Sequence, residues 1–203
     1  MQTDLHHGLL SHGGTLKIGF TYDLRDEYLA MGLSAEDAAE FDSLETIGHI
    51  DGALSALGHS VDRIGGIRAL CGRLARGDRW DLVWNICEGR LGDARESQVP
   101  ALLDAFGVPY VFSGPLTMAL CLHKPSAKRV VRDAGIPTAR FHVVSNRRDV
   151  SRVDIPYPLF IKPVAEGSGK GVTASSPEAP RTLRFRLRQC ANGRHEVAQD
   201  PGL

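Results

Sequence analysis

Lys162 lies at the end of the apolar run Pro158-Leu159-Phe160-Ile161-Lys162-Pro163, and Glu166-Gly167-Ser168-Gly169-Lys170-Gly171 follows after two intervening residues. Three glycines free the backbone N–H groups to turn toward an anion, Ser168 adds a hydroxyl donor, and the lysines bring compact positive charge. This set suits phosphate binding, with Lys162 as a point charge for phosphate oxygens. It is not the GxxxxGK[ST] loop that opens a helix, because an extended run, Val172-Thr173-Ala174, follows the glycines. The other reading of the same residues is a glycine-rich hairpin turn with two solvated lysines. Lysine usage favours the phosphate reading: Lys17, Lys124, Lys128, Lys162 and Lys170 are the only lysines beside 19 arginines. Lysine is not the default surface cation of this chain.

Lys124, in Leu122-His123-Lys124-Pro125, falls at the start of a predicted helix. The first turn of a helix favours anions, so a lysine there fits a phosphate site better than dipole compensation. An ordinary surface lysine is the alternative. Glu88 comes just after a predicted strand, at the edge where open α/β sheets bind ligands, and reads as facing substrate or as simply solvated. His6, His7, His12, His49, His59, His142 and His195 have no metal-ligand spacing. Cys71, Cys87, Cys121 and Cys190 form no CxxC and read as single thiols in a reducing compartment.

The elements that must position these groups follow from periodicity. Leu16 to Tyr22 is a short strand with Ile18 and Phe20 on one face. Asp42-Ser43-Leu44-Glu45 fits a capping box with Asp42 as N-cap and Glu45 at the third helical position, followed by Leu44, Ile47, Ile50, Leu54 and Leu57 at helical spacing. Gly58 stands where a helix-ending glycine belongs. Ser60 to Ile64 is a second strand, Ile67 to Arg76 a helix, and Asp81 to Ile86 a strand covered on both faces. A helix through Val99 to Phe106 and a strand from Pro109 to Phe112 complete a doubly wound, Rossmann-like α/β pattern. No GxGxxG follows the first strand, which disfavours NAD and FAD. Helices at Pro115 to Leu122 and Pro125 to Ala134, a strand at Arg140 to Val144 and the strand ending in Lys162 come next. From about Pro177 the pattern dissolves into an arginine-rich polar mix in which Glu178, Glu196 and Asp200 look isolated.

Composition sets the bounds. The 203 residues carry 24 basic and 24 acidic side chains and are 42% apolar, enough for a real core. The absence of basic excess argues against a sequence-independent nucleic-acid binder. No apolar run approaches a membrane span, and no signal peptide is read at the N-terminus, so a cytoplasmic location is expected.

Six segments in order carry a resemblance. They are Glu88-Gly89-Arg90 through Gln98, Gly107-Val108-Pro109-Tyr110 with Ser113-Gly114, Leu122-His123-Lys124, Gly135-Ile136-Pro137-Thr138, Phe160-Ile161-Lys162-Pro163 and Glu166 through Gly171. From about Lys17 to Ala174 the chain resembles the ATP-grasp carboxylate–amine ligases, specifically D-alanine–D-alanine ligase and its relatives. The resemblance implies a preliminary α/β domain (16–120) after a flexible N-terminus (1–15), an incomplete ATP-grasp lobe (121–176) and an atypical tail (177–203). It implies that Lys124 and Lys162 contact ATP and that Glu166, Gly167, Ser168, Gly169, Lys170 and Gly171 close over its phosphates, Ser168 lying close to the first amino acid. A glutamate near the first helix helps to hold the substrate amino group in the family; Glu45 is the nearest candidate, with Asp42 as the other and helix capping as the plain explanation of Glu45. The implied reaction phosphorylates a carboxylate with MgATP, then forms an amide, within peptidoglycan precursor synthesis.

Three departures accompany the resemblance. His123 replaces an aspartate, Gly169 replaces a serine, and the acidic and asparagine ligands expected for Mg²⁺ have no counterpart. The reading is therefore an N-terminal fragment, truncated or shifted in frame near residues 180 to 190, inactive alone and exposing a lobe that a second copy or partner chain would cover. The competing reading is a non-catalytic module that binds a small molecule or a partner.

Overall fold

The computed structural model describes residues 14–146, 148–156, 159–170, 177–178 and 195–199. Gly171, the expected run Val172-Thr173-Ala174, Cys190, Asp200 and most of the arginine-rich segment lie outside the described residues.

The first layer is a parallel sheet of β1 (Lys17–Thr21), β2 (Ser60–Arg63) and β3 (Leu82–Asn85), ordered β2-β1-β3. β1 sits in the middle, pairing Ile18 with both Val61 and Leu82. Ile18 and Phe20 share one face of the strand and are fully buried, as a two-residue period demands. The opposite face is Gly19, over which Trp80 and Ile64 lie. The Ile64–Trp80 cluster extends through Leu70, Leu74, Val83, Val99, Leu103 and Val108. β3 alternates instead of being covered on both faces: Val83 and Asn85 are buried, whereas Trp84 is only half-covered, with Phe112 edge-on at 5.5 Å between ring centroids.

Helices flank this sheet. α1 (Arg25–Ala30) was not expected, since it buries none of its residues and carries no apolar stripe. α2 (Leu44–Ala56) is capped by Ser43, whose Oγ accepts from Thr46 N at 3.1 Å. The cap is thus one residue later than expected. Asp42 is engaged before the helix: its N–H donates to Asp23 O and its carbonyl accepts from Arg25 N, so it is part of an extended bridge. Gly58 ends the helix at φ +89°, a conformation that suits glycine. α3 (Ile67–Ala75) and α4 (Gln98–Ala105) match the expected helices. The expected strand at 109–112 reduces to a single parallel bridge between Val83 and Tyr110. Pro109 has no N–H to donate, and Phe112 turns away at φ +75°.

α5 (Pro115–Leu122) and α6 (Lys124–Asp133) lead into a second, antiparallel sheet of β4 (Phe141–Val144), β5 (Leu159–Pro163), β6 (Pro177–Glu178) and β7 (His195–Gln199), ordered β4-β7-β5-β6. β7 corrects the reading of a tail without pattern: it fills the gap between β4 and β5, with Val197 and Ala198 buried. Val197, Val144, Leu159 and Ile161 form the core of this second layer.

A Cβ at Gly19 would come within 2.8 Å of Ile64 Cδ1 and Trp80 Cγ. The Trp80 ring is part of the core and cannot swing away freely, so Gly19→Ala overpacks the central strand. The expected cost is about 1–3 kcal/mol, read as a lower urea midpoint at unchanged m. An unchanged midpoint would contradict this packing.

Candidate functional site

The lysines and the glycine turn meet at one end of β5. Lys162 is on that strand, and the turn follows it. α6 is brought alongside because Lys124 N donates to Val164 O at 2.9 Å. His123 caps the helix in place of the expected aspartate: its ring Nδ1 accepts from Ser126 N at 3.3 Å, with Ser126 Oγ at 2.9 Å. Lys124 Nζ donates to the Glu166 carbonyl. Burial pulls the Lys124 ammonium below the usual lysine range, and the positive charge of Lys162 adds to that effect. Glu196, Glu166 and Glu40 pull the other way. The two ammonium groups therefore share one neighbourhood.

Glu196, which looked isolated in the sequence, has lysine neighbours. It is fully buried on β7, accepts from Lys128 Nζ at 2.6 Å and lies 3.9 Å from Lys162 Nζ. Its second oxygen, Oε2, has no hydrogen-bond partner among the described residues. The register that sets Lys162 opposite Glu196 is the signal that finds it, and that register requires β7 to be recognised.

Within the turn, Ser168 (φ +47°) and Gly169 (φ +75°) take left-handed conformations at an exposed tip, and Lys170 N closes it on Gly167 O at 2.8 Å. Lys170 Nζ reaches Glu166 Oε2 at 3.2 Å and Asp37 Oδ1 at 3.6 Å. The turn also touches two side chains that the sequence did not single out. Glu40 Oε1 accepts from Gly167 N, and Arg95 donates to the Ala165 carbonyl.

Beyond the C-terminal ends of the parallel strands lies a cavity of about 320 Å³, lined among others by Asp42, Asn85, Glu88, Glu96, Phe112 and Ser113. Glu88 faces it and is not simply solvated. Burial, then the charges of Glu96 and Glu40 and the hydrogen bond with Glu96, push its carboxyl up to about 7, Arg95 opposing. Glu96 is raised too, chiefly by burial. Glu45 is exposed on α2 and does not line the cavity, whereas Asp42 does. Among the described residues no group of three or more His, Cys, Asp or Glu side chains is placed to hold a metal ion.

No family model matches the chain. It is 33% identical to the D-alanine–D-alanine ligase of Rhodospirillum rubrum over 150 residues, 72% of this chain and 48% of that protein. With the D-alanine–D-alanine ligase of Parvibaculum lavamentivorans it shares 38% identity over 120 residues, 59% of this chain and 38% of that protein. The fold matches the crystal structure of a D-alanine–D-alanine ligase from Bacillus anthracis with a TM-score of 0.67 at 18% identity, over 92% of this chain and 58% of that one. The chain is D-alanine–D-alanine ligase-like over the part of those proteins that it covers. Its α/β layer followed by a partial second lobe agrees with that fold. It spans less than half the length of these curated relatives.

The Glu88 carboxyl has a testable consequence. A carboxyl whose pKa is higher folded than unfolded binds its proton more tightly in the native state. Stability is then greatest below the unfolded value near 4.5 and falls as pH rises through about 7. Glu88→Gln removes that penalty, so its melting temperature should exceed that of the parent chain at pH 8 and converge with it at pH 5. Parallel melting curves across that range would refute the assignment.

Proposed function

We propose that this chain supplies the nucleotide-facing first half of an ATP-dependent carboxylate–amine ligase of the D-alanine–D-alanine type, built as an α/β domain over residues 16–120 and a partial ATP-grasp lobe over 121–176. One observation carries the reading: Lys124 and Lys162 feel each other's charge while the glycine turn hydrogen-bonds Lys124.

The donor set fits a polyphosphate. Two mutually repelling ammonium groups are held in a half-buried niche, a costly arrangement that an anion relieves. Lys162 is not hydrogen-bonded to Glu196 at 3.9 Å, so its donors are not committed to that carboxylate. Lys124 and Lys162 would hold phosphate oxygens, and the backbone of Gly167 to Gly169 would cover them, with Ser168 and Gly169 already in left-handed conformations. ATP, when bound, supplies the phosphoryl group that activates a carboxylate toward an amine. For their part, Lys124 and Lys162 would stabilise charge on that group, and the turn would exclude water. The acidic cavity beside Glu88 would receive the ammonium end of a small amino acid, and Glu45, exposed in the first turn of α2 behind the Ser43 cap, would take no part in it. Mg²⁺ is expected from the resemblance, and no group of three or more His, Cys, Asp or Glu side chains among the described residues is placed to hold it. No described helix is long and apolar enough to cross a membrane; the reading places the chain in the cytoplasm, where ATP is available. A second copy or a partner chain would cover the incomplete lobe.

Calorimetric titration of the chain with ATP tests this. The expected result is saturable binding, weakened by about ten- to a hundredfold in Lys162→Met and in Lys124→Met, the loss of one charge-assisted contact in each. Failure of ATP to bind, or an affinity in both variants equal to the parent's, would reject the reading. Phosphate release with D-alanine and MgATP then separates a competent ligase from a module that binds without turnover.

A further inference from the structure

Among the described residues Arg95 and Glu40 form the most deeply buried ion pair, and both partners reach on to the second half of the chain. Arg95 is 6% exposed, and the Glu40 side chain 4%. Glu40 lies just ahead of α2 and Arg95 on a short 3₁₀ turn (Arg95–Ser97), both in the first layer. Arg95 Nη2 donates to Glu40 Oε2 at 2.6 Å. The contacts left over go across the junction. Arg95 Nη1 donates to Ala165 O, Nη2 lies 3.4 Å from Glu166 Oε2, and Glu40 Oε1 accepts from Gly167 N. Every one of those partners belongs to the segment that enters the glycine turn.

Three further details give the pair its geometry. Gly167 is needed for closeness, since a Cβ there would lie 3.2 Å from Glu40 Oε1. Gly89, at φ +70°, lets the chain pass the Arg95 backbone, where a Cβ would come within 2.7 Å of Arg95 O. Gly89 N is itself tied to Asp23 Oδ2 at 2.9 Å, so the loop beneath Arg95 is anchored to the end of β1. A planar guanidinium satisfies these acceptors only in one orientation, which a lysine or an apolar residue does not impose.

We propose that the Arg95–Glu40 pair is a latch by which the first layer sets the posture of the glycine turn, making Arg95 and Glu40 positioning residues for the anion held there. The inference rests on the nucleotide reading for its ligand but not for its mechanics. Neither side chain touches the ligand. They act through Ala165, Glu166 and Gly167, fixing the backbone from which the phosphate-facing N–H groups project. Removing one partner leaves the other charge buried and uncompensated, so the turn opens before the remaining core is disturbed.

The test uses the full chain with Arg95→Lys, Glu40→Gln and Arg95→Met, and Arg63→Gln as a control at an exposed pair. Amide hydrogen exchange is followed in the peptide covering Ala165–Lys170 and in β1, alongside ATP titration. The latch predicts exchange in the turn faster by roughly tenfold or more in the Arg95 and Glu40 variants, the loss of one charge-assisted hydrogen bond. It also predicts unchanged exchange in β1, and ATP affinity lower in the same order as turn protection. Arg95→Lys, which keeps the charge without the fork, should not restore the turn. Unchanged turn protection in Arg95→Lys and Glu40→Gln would overturn the latch. Equal loss in the turn and in β1 would overturn it as well, since that is general destabilisation. Should the parent chain fail to bind ATP while the turn still opens selectively, the nucleotide reading falls and the latch stands. If Arg95→Met does not fold, the two milder variants decide.

Discussion

Like charges held close in a half-buried place are the constraint around which the second half of this molecule is organised. Burial and the neighbouring charge of Lys162 both disfavour the Lys124 ammonium. The fold answers with carboxylates at measured distances instead of letting the ammonium groups escape to solvent. Glu196 is taken directly by Lys128 and stays 3.9 Å from Lys162. Glu166 offers its carbonyl to Lys124 and its carboxylate to Lys170. The niche is thus balanced without saturating Lys162, an arrangement with excess capacity for an anion.

That balance depends on secondary structure that brings distant segments into register. β7 has to sit between β4 and β5 for Glu196 to face Lys162. α6 has to start beside the end of β5 for Lys124 to reach Glu166, and His123 allows it by capping the helix through Nδ1. An aspartate would cap with a full negative charge. The neutral ring acceptor does the same hydrogen bonding while leaving the lysine niche more positive.

Much of this was legible in the chain. The periodicity of Leu44 to Leu57, the glycine at 58 and the apolar approach to Lys162 read directly as α2, its end and β5, because each is a local pattern with a local cause. Lys124, Lys162 and the glycine turn stood out as candidates for the same reason. What escaped were features whose cause is remote. α1 buries nothing and so leaves no apolar stripe. β7 is five residues with a charge at its buried position, and reads as polar until Lys128 and Lys162 are seen beside it. Arg95 and Glu40 are 55 residues apart, and no spacing rule connects them. The capping residue shifted from Asp42 to Ser43 because Asp42 was required for a bridge with the loop after β1.

The polar character of the junction follows from what it has to do. An apolar seam between the two layers would hold them together in many relative orientations, since hydrophobic contact has no direction. The Arg95 fork, Glu40 and the Ala165–Gly167 backbone are all satisfied in a single arrangement, and any sliding leaves a buried group without its partner. Among the described residues the main apolar clusters stay within the layers, Ile64 to Val108 in the first and Val144 to Val197 in the second, and only a small third one, Leu122, Val164 and Ala165, lies where α5 meets the end of β5. Most cohesion is therefore internal to each layer, and the charges at the junction add the orientation. Glu96, next to Arg95 in sequence, faces the cavity that Glu88 shares. Arg95 lowers the proton affinity of both carboxylates while it holds Glu40. One guanidinium thus bears on the electrostatics of the acidic cavity and on the backbone of the glycine turn, and a change in charge at either place is felt at the other through it.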